Sequence, residues 1–550
     1  MRSLDGVDRV IALAVLLGTV ALLLATSGDL GYARDEGFYF HAARAYGEWF
    51  ALLWDDPRAA MQRGAVDAAF RVNSEHPALA KSLFAISDRV LGQKLGWFAE
   101  PGTAFRFPAM CLSGAAAALV YAWSAALGTR LSGLVAAALF VFMPRLFYHA
   151  HLACFDAPIA AMFLFVVAAY ARSLSGGGAA PALLTGLLFG LALDTKHNAW
   201  FLPFLFVAHL GLLAIWARHA RLPVLPRVED GLRTLLAMAL MGPAVLVLAW
   251  PWLWHRGLER WWEYARFHLE HEYYNMEFLG ETWWQPPFPR LYAPLMTLAT
   301  VPTITVLLAC TGAAVRARDA WRELRAREAP SAATRTALLF FGAIAISYAP
   351  WLSSSTPIFG GTKHWIQAYP FVAMLAGLGF ARLELELRAR FAAPAGRLYA
   401  IRLAAASLVL AAPVVETLRA HPFALSHYVP LVGGPRGGAS LGLNRGFWGY
   451  TTGSLVGWLN RETPRGGRVY VHDTALESWR MLVEDGRLRA DIEPVRALQD
   501  ADIALYHHEM HMQGEEYQAW VAYETVRPAV IAGLDGVPVV WAYRRPSRLR

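Results

Sequence analysis

The sequence is poor in charged residues. Only 17% of its 550 residues are Asp, Glu, Lys or Arg, whereas 56% are hydrophobic and the mean hydropathy is positive. A soluble globular protein seldom has this balance, so the composition predicts a polytopic membrane protein. The length accommodates about ten or more spans of roughly 20 residues each and one further domain.

Cysteine is also scarce. The three cysteines occupy separate apolar runs without paired spacing, at Cys111, Cys154 and Cys310. This pattern argues against a disulfide framework and against a cysteine metal site, and it predicts small core residues.

Lysine is scarce among the basic residues. Only Lys81, Lys94, Lys196 and Lys363 occur, so arginine carries almost all of the net charge of +8. A basic protein can bind nucleic acid, but here the arginines cluster in short loops between apolar runs. The positive-inside rule explains that distribution more simply, and we expect no nucleic-acid partner.

Long apolar runs are abundant and predict eleven transmembrane helices. The runs lie near residues 8–27, 104–127, 131–149, 153–173, 181–195, 198–217, 232–254, 291–315, 336–352, 365–382 and 403–419. The first run lacks a small-residue cleavage pattern and precedes further spans, so we interpret it as a retained helix. The fold class expected is therefore a mostly α membrane protein.

The arginine-rich loops predict the orientation of the chain. With the amino terminus in the cytoplasm, the loops near 218–233, 316–327 and 388–402 all face the cytoplasm. Three segments then face outwards across the plasma membrane, which would be the inner membrane of a bacterium. These are residues 28–103 (the first loop), residues 255–290 (the second loop) and residues 420–550 (the tail).

The tail has the pattern of a small α/β domain. "GRVYVHD", "ADIALYHH" and "VPVVWAYRR" alternate like strands, whereas "TALESWRMLVEDG" and "EEYQAWVAYETV" are typical of helices. "GLDGVP" predicts a turn before the last strand. The expected domains are thus residues 1–419 in the membrane and residues 420–550 outside it. The tail shows no metal or nucleophile motif.

Ionisable residues collect at one end of the predicted spans. They are Asp35 and Glu36 beyond the first span, Asp156 at the start of the fourth, Lys196 and His197 after the fifth, and Lys363 and His364 before the tenth. Ionisable groups at membrane depth are costly and commonly mark a functional site. The ordinary alternative for Asp35 and Glu36 is a helix N-cap followed by a first-turn carboxylate.

Residues 73–90, "NSEHPALAKSLFAISDRV", add His76 and Lys81 to the first loop. An ordinary surface helix would explain the stretch alone. The order "DE" and then "HPALAK", however, resembles the "DE … HPPLxK" pattern of the protein O-mannosyltransferases. Those enzymes and the aminoarabinose transferases of lipid A belong to the GT-C membrane glycosyltransferases. "FRFPAM", "ACFDAP" and "LALDTKHNAW" extend the resemblance over about residues 1–210.

The resemblance implies a glycosyltransferase. Such enzymes transfer a hexose or pentose from a polyprenyl-phosphate carrier to an acceptor on the outer face, with inversion at the anomeric carbon. Acceptors include protein hydroxyls, lipid A and other envelope glycans. The sequence departs from the pattern at Ala78, where the family has a second proline. The second loop is also too short for the β-trefoil domain of the eukaryotic enzymes.

Within that resemblance the site residues take specific roles. Asp35 is the expected catalytic carboxylate, and Glu36 the neighbour that positions the loop. The donor phosphate is expected to contact cations and imidazoles near the headgroup plane. These are Lys81, Lys196 and Lys363, with His76, His197 and His364 as further contacts. Asp35 and Asp156 are also candidate ligands of a divalent cation, although Asp156 equally suits a helix start. No organic cofactor is expected.

Two other functions fit some of the sequence. A secondary transporter would also have many spans and buried charges, but transporters generally show related halves with sites near the midplane. Here the charges lie at one end and the halves show no evident symmetry. A membrane-anchored binding protein that acts through its tail would leave the clustered Asp and Lys residues without a role.

Overall fold

The structure is a computed structural model that describes residues 2–176, 178–223, 226–391 and 394–546. Within these ranges, eight helices are long and apolar enough to cross a membrane, judged by length and composition. They are Gly6–Ser27, Pro101–Leu127, Asp156–Ser173, His197–His219, Val228–Ala249, Ala332–Leu352, Ile366–Arg390 and Ala395–Ala420. The protein is therefore a multi-pass membrane protein.

Two further apolar segments are helix pairs with a sharp bend. Arg130–Val141 meets Pro144–His151 at 71°, and Tyr292–Thr300 meets Thr303–Arg325 at 117°. Pro144 and Pro302 stand at these breaks. Proline lacks the N–H that would continue the first helix, but it suits the start of the second. If each pair forms one span, the described residues contain up to ten.

The remaining predicted run, 181–195, forms the shorter apolar helix Ala179–Leu193 of 15 residues. Every predicted run thus coincides with helical structure, but eight to ten spans are supported by length and composition, not eleven. About 20 residues are needed to cross the hydrocarbon core without tilt or thinning. The count of eleven consequently remains a prediction.

Burial separates central helices from peripheral ones. The apolar windows of Asp156–Ser173 and Ile366–Arg390 are each 78% buried inside the protein. Those of Gly6–Ser27 and Ala395–Ala420 are only 22% and 17% buried, so most of their apolar surface faces outwards. Both central helices have ionisable residues at their amino-terminal ends, as does His197–His219, whose apolar window is 44% buried.

The first and second loops are folded. The first loop contains the helices Arg34–Asp55, Pro57–Ala60, Arg63–Phe70 and Leu79–Ile86, with a π-helical turn over Ser87–Lys94. The second contains the helix Gly257–Leu269 and an antiparallel hairpin of β1 (Met276–Phe278) and β2 (Glu281–Trp283). Leu258, Trp261 and Trp262 are exposed on the second-loop helix, as expected of a helix at the headgroup level.

The tail forms a mixed five-stranded sheet, as its alternating pattern predicted. Its strands are β3 (Arg468–Tyr470), β4 (Glu493–Val495), β5 (Ile503–His507), β6 (Val530–Leu534) and β7 (Val537–Arg544), in the order β4-β3-β5-β7-β6. The first two pairings are parallel and the last two antiparallel, with Tyr506 opposite Trp541. Its helices include Gly434–Ser440, Val456–Glu462, Leu476–Glu484 and Gln513–Tyr523. Asp535 and Gly536 make the predicted turn, both at positive φ.

The tail packs directly on the start of the first loop. Gly31 and Gly453 approach so closely that a Cβ on Gly31 would lie 2.7 Å from the backbone nitrogen of Gly453. Polar contacts extend the interface: Arg34 forms an ion pair with Asp473 at 2.8 Å, and the Ser478 hydroxyl donates to the Ala33 carbonyl. Residues next to the predicted catalytic pair are therefore held by the tail.

Candidate active site

One large cavity lies where the two loops and the tail meet the helix ends. Its volume is 660 Å³, within the range of small-molecule sites. Seven of the nine predicted site residues line it: Asp35, His76, Asp156, Lys196, His197, Lys363 and His364. Glu36 and Lys81 do not line it. The chain thus brings ionisable groups from four separate segments to one chamber.

Asp35 lies in the first turn of the helix Arg34–Asp55, with its side chain 23% exposed. The N-cap residue of that helix is Ala33, so the alternative that Asp35 or Glu36 is the N-cap is wrong. Asp35 keeps a first-turn position, where the positive end of the helix dipole favours a carboxylate. Its Oδ2 lies 3.7 Å from the Nζ of Lys363. The carboxylate is therefore both accessible from the cavity and close to a cation.

Glu36 points away from the cavity and is fully buried. Its two carboxylate oxygens accept hydrogen bonds from the Arg106 guanidinium at 2.7 and 2.8 Å. They also accept from the backbone N–H groups of Ala33 and Ala153, each at 3.0 Å. These contacts tie the start of the first loop to the helix Pro101–Leu127 and to the bend before the helix Asp156–Ser173. Glu36 consequently fits the predicted positioning role and does not reach the chamber where the reaction would occur.

Asp156 and Lys196 form a tight buried ion pair. The Lys196 Nζ lies 2.5 Å from one Asp156 oxygen, and the His149 Nδ1 lies 3.5 Å from the other. Both side chains of the ion pair line the cavity while staying largely buried. Asp156 is thus neutralised by Lys196. Shared metal binding by Asp35 and Asp156 remains a prediction.

Lys363 is held between aromatic rings and two carboxylates. Its Nζ lies 4.1 Å from the Trp448 ring centroid and 5.1 Å from that of Phe359, within the range of cation–π contacts. Burial lowers the pKa of Lys363, and the nearby Asp35 and Asp156 carboxylates partly offset that effect. Lys363 is therefore a buried cation at the wall of the cavity, beside the candidate catalytic carboxylate.

Three predicted histidines line the cavity in different surroundings. Burial holds the pKa values of His76 and His364 well below the usual range, so both imidazoles are neutral at pH 7. The Nδ1 atoms of His76 and His197 have no hydrogen-bond partner within the described part of the chain. His364 instead bonds to the backbone of Phe359. Two imidazoles thus retain hydrogen-bonding capacity for a ligand.

Lys81 does not line the cavity, and its contact with the donor phosphate remains a prediction. Its Nζ donates to the backbone carbonyls of Asn73 and His76 at 2.7 and 2.8 Å and approaches the Asn73 side-chain oxygen at 3.3 Å. An ammonium group has only three N–H donors. All three are used within the segment that carries His76, so Lys81 shapes that segment.

The cavity also contains residues that the sequence analysis did not select. They are Arg34 and Glu75 in the first loop, His268, His271 and Tyr274 in the second, and Trp448, Glu509 and His511 in the tail. His268 stacks near His197, with ring centroids 4.1 Å apart. The repeated His and Glu residues in "HLEHEYYNME" and "HHEMH" could have indicated a site. The first stretch was instead interpreted from its many aromatic residues, and the second from the strand alternation that precedes it.

Comparisons with known proteins add evidence on the fold. Neither a protein-family model nor a curated protein matches the sequence. Among solved structures, the chain is similar to ArnT from Cupriavidus metallidurans in the apo state. That alignment has 14% identity, covers 98% of each chain and has a TM-score of 0.48. It is also similar to the archaeal oligosaccharyltransferase AglB from Archaeoglobus fulgidus. Here the identity is 11%, coverage is 94% of this chain and 71% of AglB, and the TM-score is 0.50.

At these identities the likeness concerns the fold alone. It extends over 94% of this chain. The resemblance to the GT-C glycosyltransferases that the motifs indicated is confirmed at the level of fold.

Proposed function

We propose that the protein transfers a monosaccharide from a polyprenyl-phosphate carrier to an acceptor at the outer face of the membrane. The observation that carries the proposal is the joining of Asp35, Lys196 and Lys363 in one chamber at the ends of membrane helices. The fold neighbour AglB is in complex with a dolichol-phosphate and an inhibitory peptide. A lipid-linked phosphate at a comparable depth would meet Lys196 and Lys363 here.

The donor phosphate would contact Lys363 first. Lys363 has a cation–π contact with Trp448 and only a long ion pair with Asp35, whereas Lys196 already holds Asp156 at 2.5 Å. The donor phosphate is a phosphodiester with one negative charge, and it attracts a loosely paired ammonium more easily than a tightly paired one. Lys196 then adds a second ammonium group at the cavity wall. The unpartnered Nδ1 atoms of His76 and His197 can form hydrogen bonds with the ligand.

Asp35 would act as the general base. An acceptor hydroxyl has a pKa far above neutrality, so its oxygen attacks the anomeric carbon only as its proton passes to a nearby base. Asp35 Oδ2 lies 3.7 Å from Lys363, and a phosphate bound at Lys363 would weaken that pairing. Donor binding would thus free the carboxylate for the acceptor. The polyprenyl phosphate leaves with the bonding electron pair, and inversion follows from attack opposite the leaving group.

Two buried residues would act indirectly. Glu36 fixes the first turn that carries Asp35 through Arg106, and Lys81 fixes the turn that carries His76. Neither touches the chamber. A change at either residue would therefore act through the position of its neighbour, with the chemical groups of the chamber left in place.

The proposal includes an orientation and a division of the chain. Residues 1–419 form the membrane part and residues 420–550 the extracytoplasmic domain of a plasma-membrane enzyme, with the chamber outside the cytoplasm. The arginine bias of the three short loops supports that side. Protein hydroxyls, lipid A and other envelope glycans remain the candidate acceptor classes.

The direct test is a transfer assay with purified protein. Labelled polyprenyl-phosphate hexoses and pentoses are incubated with the protein and with membrane extracts, and labelled products are identified by mass spectrometry. Labelled product in the wild type, strongly reduced in Lys363→Ala at donor concentrations below the KM, would support the proposal. Lys94→Ala is the matched control, because Lys94 is exposed and does not line the cavity.

The transporter alternative predicts a different outcome. Proteoliposomes would then move a labelled solute across the bilayer without forming a new glycosidic bond. Absence of transfer with every donor, together with saturable solute flux, would overturn the glycosyltransferase proposal.

A further inference from the structure

A cluster of three metal-binding side chains joins the second loop to the tail. Glu277 belongs to β1 of the second-loop hairpin, whereas Glu509 and His511 follow β5 in the tail. One ligand atom from each residue lies within 4.8 Å of the other two. Glu509 and His511 also line the large cavity. The cluster lies apart from Asp35 and Asp156, for which a metal was expected from sequence.

The two carboxylates of the cluster share His511 as an ion-pair partner. The side chains of Glu277 and Glu509 are only 1% and 7% exposed. Throughout the described ranges, His511 is the only residue with which either carboxylate forms an ion pair. Two buried carboxylates thus face a single imidazole, and a cation bound between the three side chains would stabilise both carboxylates in their charged form.

The surroundings of the His511 ring point to a cation between the three side chains. Its Nδ1 lies 2.9 Å from a Glu277 oxygen and 3.8 Å from a Glu509 oxygen, both of which are acceptors. The amide nitrogen of Asn275, a donor, lies 3.1 Å from the same Nδ1. One nitrogen cannot donate to a carboxylate and accept from an amide at once. A metal bound by the Nδ1 lone pair and both carboxylates removes the need for the ring to donate to Glu277. The Asn275 amide then donates to the Glu509 oxygen, which lies 3.5 Å away.

The spacing fits zinc. Two ligand atoms on a tetrahedral zinc ion, with bonds of about 2.0–2.1 Å, stand about 3.3 Å apart. The observed separations of 2.9 and 3.8 Å fall on either side of that value. Calcium and magnesium prefer six or more oxygen ligands, whereas one imidazole with two carboxylates suits zinc. We propose that Glu277, Glu509 and His511 bind one zinc ion, with the fourth position open to water.

Neighbouring groups would hold these ligands in place. The backbone N–H of His511 donates to Glu277 at 3.1 Å, and the Asn444 amide donates to Glu509 at 3.4 Å. Such contacts orient metal ligands and strengthen binding. The zinc ion would fasten the tail to the second loop and place a positive charge at the cavity wall. This site does not depend on the transfer reaction.

Metal content of tag-free protein tests the proposal without any activity measurement. The protein is stripped with a chelator, dialysed against zinc chloride and analysed by mass spectrometry for bound metal. We expect one zinc ion per chain. Cobalt chloride added to stripped protein should produce the visible absorption band of four-coordinate cobalt, and the chelator should lower the melting temperature of the wild type.

Ligand variants then locate the ion. Glu277→Gln and His511→Gln change different segments, and each should weaken zinc binding by more than about a hundredfold, since loss of supporting contacts alone costs about 10- to 100-fold. His508→Gln is the matched control, because His508 lies in the same turn outside the cluster. Zinc binding that is absent in the wild type, or equal in both ligand variants and the control, would overturn the proposal. Elution volume in gel filtration confirms that each variant is folded.

Discussion

Replacing Glu36 by Gln should destabilise the protein more than it impairs the chemical step. Each Glu36 oxygen accepts two hydrogen bonds, one from Arg106 and one from a backbone N–H. A glutamine has one oxygen, so its amide nitrogen would face two donors in either orientation. Two contacts are lost, and the Arg106 guanidinium stays 1% exposed without its counter-charge.

The magnitude follows from those contacts. A hydrogen bond to a charged group contributes about 1.5–3 kcal/mol, so two lost contacts amount to about 3–6 kcal/mol. Removal of one partner from a buried ion pair typically costs about 3–5 kcal/mol, which agrees. No discount for solvent screening applies, since both side chains are buried. The Gly31 carbonyl still accepts a hydrogen bond from Arg106 at 2.6 Å, and this contact continues to stabilise the guanidinium charge.

The assay is unfolding by a denaturing detergent in mixed micelles, compared between the wild type, Glu36→Gln and the double variant Glu36→Gln, Arg106→Met. The double variant removes the stranded charge and should recover part of the lost free energy of unfolding. Turnover per folded molecule should remain closer to the wild type than in Asp35→Asn. A loss below about 1 kcal/mol, or a double variant no more stable than the single one, would refute the reasoning.

Three further predictions concern other parts of the site. Lys363→Ala should raise the donor KM by roughly 10- to 150-fold, the equivalent of one charge-assisted contact, and unchanged kinetics would contradict the phosphate role. Gly31→Ala should loosen the tail, because its Cβ would meet the Gly453 backbone; limited proteolysis should release the tail faster. Burial lowers the pKa of Lys81 from 10.5 to about 7. The folded state then binds fewer protons than the unfolded state, so stability should rise from pH 7 to 10.5, with a smaller rise in Lys81→Met.

The membrane helices could be predicted because hydropathy reports them directly. In lipid, backbone N–H and C=O groups must form their hydrogen bonds within the protein, so an apolar run of span length is nearly always helical. The tail strands were equally readable from their alternation. The strands β4 and β6 were not predicted, because β4 contains Pro494 and β6 contains Gly533, and both residue types weaken a strand pattern. The bends at Pro144 and Pro302 were also missed, because hydropathy does not show where a helix within an apolar run changes direction.

The site could be predicted only where charge interrupts apolar sequence. Asp156, Lys196 and Lys363 stand out for that reason, and the structure places them in one chamber. Lys81 shows the limit of this reasoning, because residue type does not tell which way a side chain turns. Its three carbonyl acceptors come from a local turn that the sequence does not specify.

The zinc cluster lay beyond sequence reasoning for another reason. Glu277 and His511 are 234 residues apart, and no short spacing relates them. Their meeting depends on how the tail docks on the second loop, which in turn rests on contacts such as the close approach of Gly31 and Gly453. Tertiary arrangement of this kind has no local signature.

The transfer rate of Asp35→Asn tests the central claim most directly. The substitution keeps the size of the side chain and removes its charge, and Asp55→Asn in the same helix is the matched control, exposed and outside the cavity. General base catalysis typically contributes about 10²- to 10⁴-fold, so turnover of labelled polyprenyl-phosphate sugar should fall by that factor in Asp35→Asn and stay normal in the control. Near-normal transfer by a stably folded Asp35→Asn protein would contradict the account.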